Sequence, residues 1–70
     1  MYSILRYEME KIGMTQGELA KKVWLTQNGL SRRMTGKTEF TLMEAVAIKE
    51  ALGSDLPLEQ LFSTQFDAND

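Results

Sequence analysis

Apolar residues recur at helical spacing along nearly the whole chain, and no two-residue alternation persists long enough to suggest a strand. Five helices are predicted, delimited mostly by their punctuation. The first covers residues 3–12, with Leu5, Met9 and Ile12 at i, i+4 and i+7 as a buried stripe. Gly13 follows where a left-handed C-terminal cap belongs. Thr15-Gln16-Gly17-Glu18 then forms a capping box, in which the threonine hydroxyl accepts from the Glu18 N–H. The Glu18 carboxylate accepts in turn from the Thr15 N–H. Leu19, Ala20 and Val23 make the inner face of this second helix. Thr26 opens a third helix over residues 27–35, which Gly36 stops. Thr41-Leu42-Met43-Glu44 repeats the capping pattern and opens a fourth, whose Leu42, Ala45, Val46, Ile48 and Leu52 read as a broad apolar stripe closed by Gly53. Pro57 fits the first turn of a fifth helix, where its missing N–H costs nothing. That helix is expected to bury Leu58, Leu61 and Phe62. Residues 63–70 read as a short flexible tail, with Phe66 a large apolar residue to leave in water.

The gap between the second and third helices carries the most information. Only Trp24, Leu25 and Thr26 separate Val23 from Gln27, so the pair must turn sharply. Two short helices joined steeply by three or four residues describe a helix-turn-helix unit. The expected fold is therefore all-α, a compact five-helix bundle containing that unit.

With 70 residues the chain can close only one core, and 43% hydrophobic residues is ordinary for a globular protein. So small a core leaves about 3–5 kcal/mol of stability. Cysteine and histidine are both absent. Disulfides, thiolate metal sites, the commonest general base and the main transition-metal ligands go with them. Ten carboxylates remain, but a carboxylate pair needs a pocket for which an 8.0 kDa bundle has little room. No catalytic, metal or cofactor site is expected, and the chain does not read as an enzyme. No apolar run approaches a membrane span, and no secretory signal is visible.

Charge changes the picture. The net charge is −2 and the pI is near 5.0, which at first argues against a nucleic acid partner. Within residues 15–38, however, Lys21, Lys22, Arg32, Arg33 and Lys37 face Glu18 as the sole anion, a net of +4. The rest of the chain holds Arg6, Lys11 and Lys49 against nine carboxylates, a net of −6. Such asymmetry steers a polyanion to one face while keeping the remainder soluble. At about 100° per residue, Leu30 and Met34 fall on one side of the third helix and Asn28 and Arg32 nearly opposite. Ser31 and Gln27 lie toward one flank and Arg33 toward the other. Glutamine and asparagine amides match adenine N6/N7, and arginine matches guanine O6/N7.

These residues resemble the phage-repressor and Cro-type (lambda-repressor-like) helix-turn-helix family, through Met14-Thr15-Gln16-Gly17-Glu18-Leu19-Ala20. Gly36-Lys37 after the third helix and Ala51-Leu52-Gly53 at the end of the fourth also look like that family. The likeness spans about residues 5–62, and it implies a DNA-binding domain over residues 1–62. It further implies that Gln16 grips a phosphate, that Gln27, Asn28 and Arg32 reach base edges, and that Lys37 and Thr38 hold the backbone again. Ser31 joins the base readers by the same carry-over, and Thr26 the phosphate contacts. Arg33, on the flank of the same helix, is counted with the phosphate contacts. Two positions depart from the family: Trp24 stands where the turn ordinarily has a left-handed glycine, and Arg33 where an apolar residue is usual. Gly29, inside a helix, should cost about 0.5–1 kcal/mol relative to alanine; either close approach of DNA accounts for its presence or it is a glycine without a role.

The expectation is a sequence-specific transcriptional regulator, a repressor acting by operator occupancy, in the cytoplasm of a bacterial or phage-infected cell. Its partner would be double-stranded DNA with a palindromic operator, bound as a homodimer through Phe62, Phe66 or Trp24. The alternative is a protein-interaction or antitoxin-like module on the same fold, without base reading, which the overall acidity, Trp24 and Arg33 would suit.

Overall fold

The computed structural model describes residues 2–63. In chain order these form α1 (Ser3–Lys11), α2 (Gln16–Lys22), α3 (Gln27–Met34), α4 (Leu42–Leu52) and α5 (Leu58–Leu61), with no strand among the described residues. Leu5, Leu19, Leu30, Ile48 and Leu61 are fully buried, one from each helix, so all five elements share a single core. Met9, Ala20, Val23, Met34 and Leu52 complete it. No helix among the described residues is long and apolar enough to cross a membrane.

Threonine hydroxyls set three of the helix starts. Thr15 and Thr41 each accept from the N–H three residues on, and Glu18 and Glu44 return the bond to the threonine N–H, so both predicted capping boxes form. Thr26 caps α3 by accepting from the Gly29 N–H at 2.9 Å. Each cap is worth about 1 kcal/mol. Gly13, Gly36 and Gly53 all take positive φ, where an L side chain is strained.

Trp24 takes the same conformation at φ +64°. The Leu25 N–H reaches back to the Ala20 carbonyl at 2.9 Å, closing the end of α2 and requiring a left-handed residue between. The tryptophan does the work of the glycine it replaces, with its side chain 93% exposed. A left-handed L-residue costs about 1–2 kcal/mol.

Burial differs from expectation at Ile12, Leu42, Val46, Leu58 and Phe62. Ile12 is 47% exposed, because α1 ends at Lys11 and the turning chain carries Ile12 off the stripe. Glu8 is buried instead, with its carboxylate accepting from Lys11 at 3.1 Å. Leu42 and Val46 are also exposed, whereas Ala45, Ile48 and Leu52 face the core. α4 is apolar nearly all round, so periodicity could not choose its face; packing against α2 and α5 does. Pro57 stands at the N-cap of α5, one position before its first turn. Leu58 and Phe62 are half-buried, and Phe62 meets Tyr2 and Phe40 edge to face with centroids 5.0–6.0 Å apart. That trio ties the chain start and the α3–α4 loop to α5.

One ion pair links α3 to α4. Arg33 Nε donates to Glu44 Oε1 at 2.9 Å, and the same oxygen accepts from the Thr41 N–H at 3.0 Å. Arg33 Nη1 also donates to the Gly29 carbonyl at 2.9 Å. The unusual arginine therefore has an internal partner. Gly29 has a reason too: a Cβ there would lie 2.9 Å from the Thr26 hydroxyl and 3.3 Å from Arg33 Nη1. The glycine leaves room for both the cap and the guanidinium.

Two predictions follow from this framework. Trp24→Gly should raise stability by about 0.5–1 kcal/mol, as relief of left-handed strain exceeds the added unfolded-state entropy; thermal denaturation would show a higher Tm. The Glu44 carboxyl is held below its ordinary value of 4.5: partial burial pushes it up, but the Thr41 N–H and the Arg33 guanidinium together outweigh that. A lowered carboxylate contributes stability that is complete above the unfolded-state value and lost as pH falls through the folded one. Glu44→Gln should therefore lose about 1–2 kcal/mol at neutral pH. It should also show a shallower loss than the parent below about pH 4.5 in pH-resolved denaturant melts.

Candidate nucleic-acid interface

α3 presents its polar side because its apolar side is locked inward. Leu30 is fully buried and Met34 is 4% exposed. Burying one leucine stabilises by about 1.5–3 kcal/mol, so the helix cannot roll without a large loss. With those two inward, Asn28 and Arg32 lie on the opposite side and both are exposed. Gln27 is exposed and Ser31 half-buried on one flank. The sharp turn at Trp24 brings the start of α2 beside the start of α3. Gln16, Gln27, Asn28 and Ser31 consequently line one open concavity of about 420 Å³. The Gln27 amide rests over Gly17, whose Cβ position would lie 3.4 Å from its oxygen. Four of the five candidate residues from these two helix faces are thus brought together, and Arg32 follows Ser31 on the adjoining exposed turn.

The remaining candidates surround that face. Thr26 is exposed, and its hydroxyl accepts from Gly29, leaving the O–H hydrogen available to a phosphate oxygen. Beyond α3, the Lys37 and Thr38 N–H groups both bond to the Arg32 carbonyl, at 2.9 and 3.3 Å, with Gly36 at φ +87° making the bend. The loop is thereby fixed to the end of the recognition helix, with Lys37 exposed and Thr38 half-buried. Arg33 differs: two of its donors go to Glu44 and Gly29, and its side chain is only 20% exposed.

Electrostatics follow the sequence partition. Glu18, the sole acid in the basic segment, has its pKa lowered chiefly by the Thr15 N–H and hydroxyl, which outweigh desolvation, with Lys22 and Lys21 adding weaker attraction. Its charge is occupied in capping α2. Lys21, Lys22, Arg32 and Lys37 have no ion-pair partner within 4.0 Å among the described residues. No group of acids that could hold a metal occurs among the described residues.

Two features of the surface carry no signal in the local sequence. Arg6 and Glu10 of α1 share a second concavity with Gln16, floored by Met9, Met14 and Met34. The internal pairing of Arg33 was hidden because Glu44 lies eleven residues away, beyond any local spacing rule. Among the interface candidates, Phe62 is engaged in the aromatic trio, Trp24 is open to solvent, and Phe66 lies outside the described residues.

The helix-turn-helix family model of Cro/C1 type matches residues 5–58, which include α1 to α4 almost entirely and the start of α5. No curated protein and no solved structure shows a significant match. Proteins of this family are DNA-binding regulators and not typically enzymes. With a steep turn, a locked second helix and the matching segment all in one place, the chain belongs to the Cro/C1-type helix-turn-helix family of DNA-binding regulatory domains.

Proposed function

We propose that this protein is a sequence-specific transcriptional repressor that acts by occupying its operator. The observation that carries this reading is the amide, hydroxyl and guanidinium groups of Gln27, Asn28, Ser31 and Arg32 emerging together from the acid-free α3. Those four side chains read base edges in the major groove. Gln16, Thr26, Lys37 and Thr38 hold flanking phosphates and set the register. Arg33 serves the interface indirectly, by fixing α3 against Glu44, and any phosphate contact falls to its remaining nitrogen.

One recognition helix covers only a few base pairs, so useful affinity calls for two copies on a palindromic site with half-sites about 34 Å apart. The described residues measure 34 × 26 × 21 Å, so one copy is suited to a single half-site. A homodimer on duplex DNA in the cytoplasm of a bacterial or phage-infected cell fits this reading. The domain would then comprise residues 1–62, with the remainder as a tail. One observation favours a second reading, a protein-interaction module: Trp24 is 93% exposed at a strained turn, where a glycine would hold the backbone with less strain.

Selection of bound duplexes from a random pool separates the two. The repressor reading expects an enriched, two-fold symmetric motif and steep salt dependence; absence of any retained duplex at low salt contradicts it. On the enriched motif, Arg32→Ala should weaken binding by about 1–3 kcal/mol and relax preference at one base position. Unchanged affinity and unchanged selection would remove Arg32 from the readers.

A further inference from the structure

Three cations lie outside the basic segment, and the structure distinguishes them. Lys11 Nζ is bonded to Glu8 at 3.1 Å, and Lys49 Nζ to the Ser54 carbonyl at 3.0 Å. Of the three, only Arg6, exposed on α1, has a side chain with no hydrogen-bond or ion-pair partner among the described residues. Its guanidinium lines a concavity of about 210 Å³ whose other polar walls are Gln16 and Glu10. Gln16 also lines the base-reading concavity with Gln27, Asn28 and Ser31. The two hollows therefore adjoin along one edge of the surface, with Gln16 as the shared wall.

We infer that Arg6 is a further DNA-backbone contact, holding the phosphodiester next to the one that Gln16 holds and so extending the interface from the helix-turn-helix unit onto α1. The inference rests on the DNA-binding reading above. Charge complementarity supports it: a duplex seated on α3 runs its phosphates past Gln16, and the unpaired guanidinium beyond offers planar donors suited to phosphate oxygens. Glu10, one helical turn from Arg6, is the opposing charge in the same concavity, yet no oxygen of it lies within 4.0 Å of the guanidinium. Arg6 is thus not tied to Glu10. The methionines between them give an apolar floor that offers a guanidinium no competing acceptor.

A backbone contact of this kind carries no sequence information, so its signature is electrostatic. The test is a titration of full-length protein on random-sequence duplex DNA over a salt series, with Arg6→Gln and Arg6→Lys beside the parent. Arg6→Gln should make the slope of log K against log salt shallower by about 0.9, the effect of one phosphate contact. It should weaken all sequences alike and leave the selected motif unchanged. Arg6→Lys should restore the slope. The exposed position predicts unaltered thermal melts, which separates lost contact from lost fold. If the parent binds duplex and Arg6→Gln binds it with the same slope and affinity, the Arg6 assignment is overturned while the regulator reading stands. If the parent itself holds no duplex at low salt, both fall.

Discussion

The rotation of α3 about its own axis decides everything that the surface can do. Leu30, fully buried, and Met34, nearly so, define the inner side of an eight-residue helix. Helical geometry then assigns the outer side to Asn28 and Arg32 without further choice. The Arg33–Glu44 pair works from a third direction, tying the flank of α3 to the capped start of α4. Two apolar anchors and one charged one leave the helix a single orientation. A rotation of half a turn would place amides in the core, where an unpaired polar group costs about 1–3 kcal/mol by the measure of protein mutants.

The rest of the bundle serves that orientation. The left-handed Trp24 closes α2 and delivers the chain to Thr26, whose cap starts α3 at a fixed point. The loop after α3 is fastened to the Arg32 carbonyl, so Lys37 moves with the helix. Most acidic side chains lie away from the face: Glu18 and Glu44 are occupied by threonine N–H groups and by arginine, and Glu10 borders the Gln16 edge beside Arg6. Local caps and long-range packing thus support the same arrangement, as expected of a sequence that specifies one structure.

Much of this was legible in the sequence, and the failures have physical causes. Threonine–glutamate spacing fixed the starts of α2 and α4, because a capping box is a purely local interaction. The face of α3 was equally clear, since only Leu30 and Met34 are large and apolar in it. α4 was not, because Leu42, Met43 and Val46 are as apolar as Ile48 and Leu52, and only the neighbouring helices choose among them. Glu8 was missed for the converse reason: a charged residue one turn from Leu5 is buried when Lys11 follows at i+3 to hold it. Neither helix propensity nor close approach of DNA accounts for Gly29, because its role depends on two side chains, Thr26 and Arg33, that approach it in space. Arg6 stood outside the basic segment in sequence, yet it borders Gln16 in the fold.

Amide chemical-shift mapping shows most directly which surface meets DNA. Labelled protein titrated with duplex at low salt should show its changes at Gln16, at residues 26–32 and in the 36–38 loop, with the Leu42–Met43–Val46 surface of α4 unmoved. Shifts concentrated on α4 with α3 silent would contradict the account.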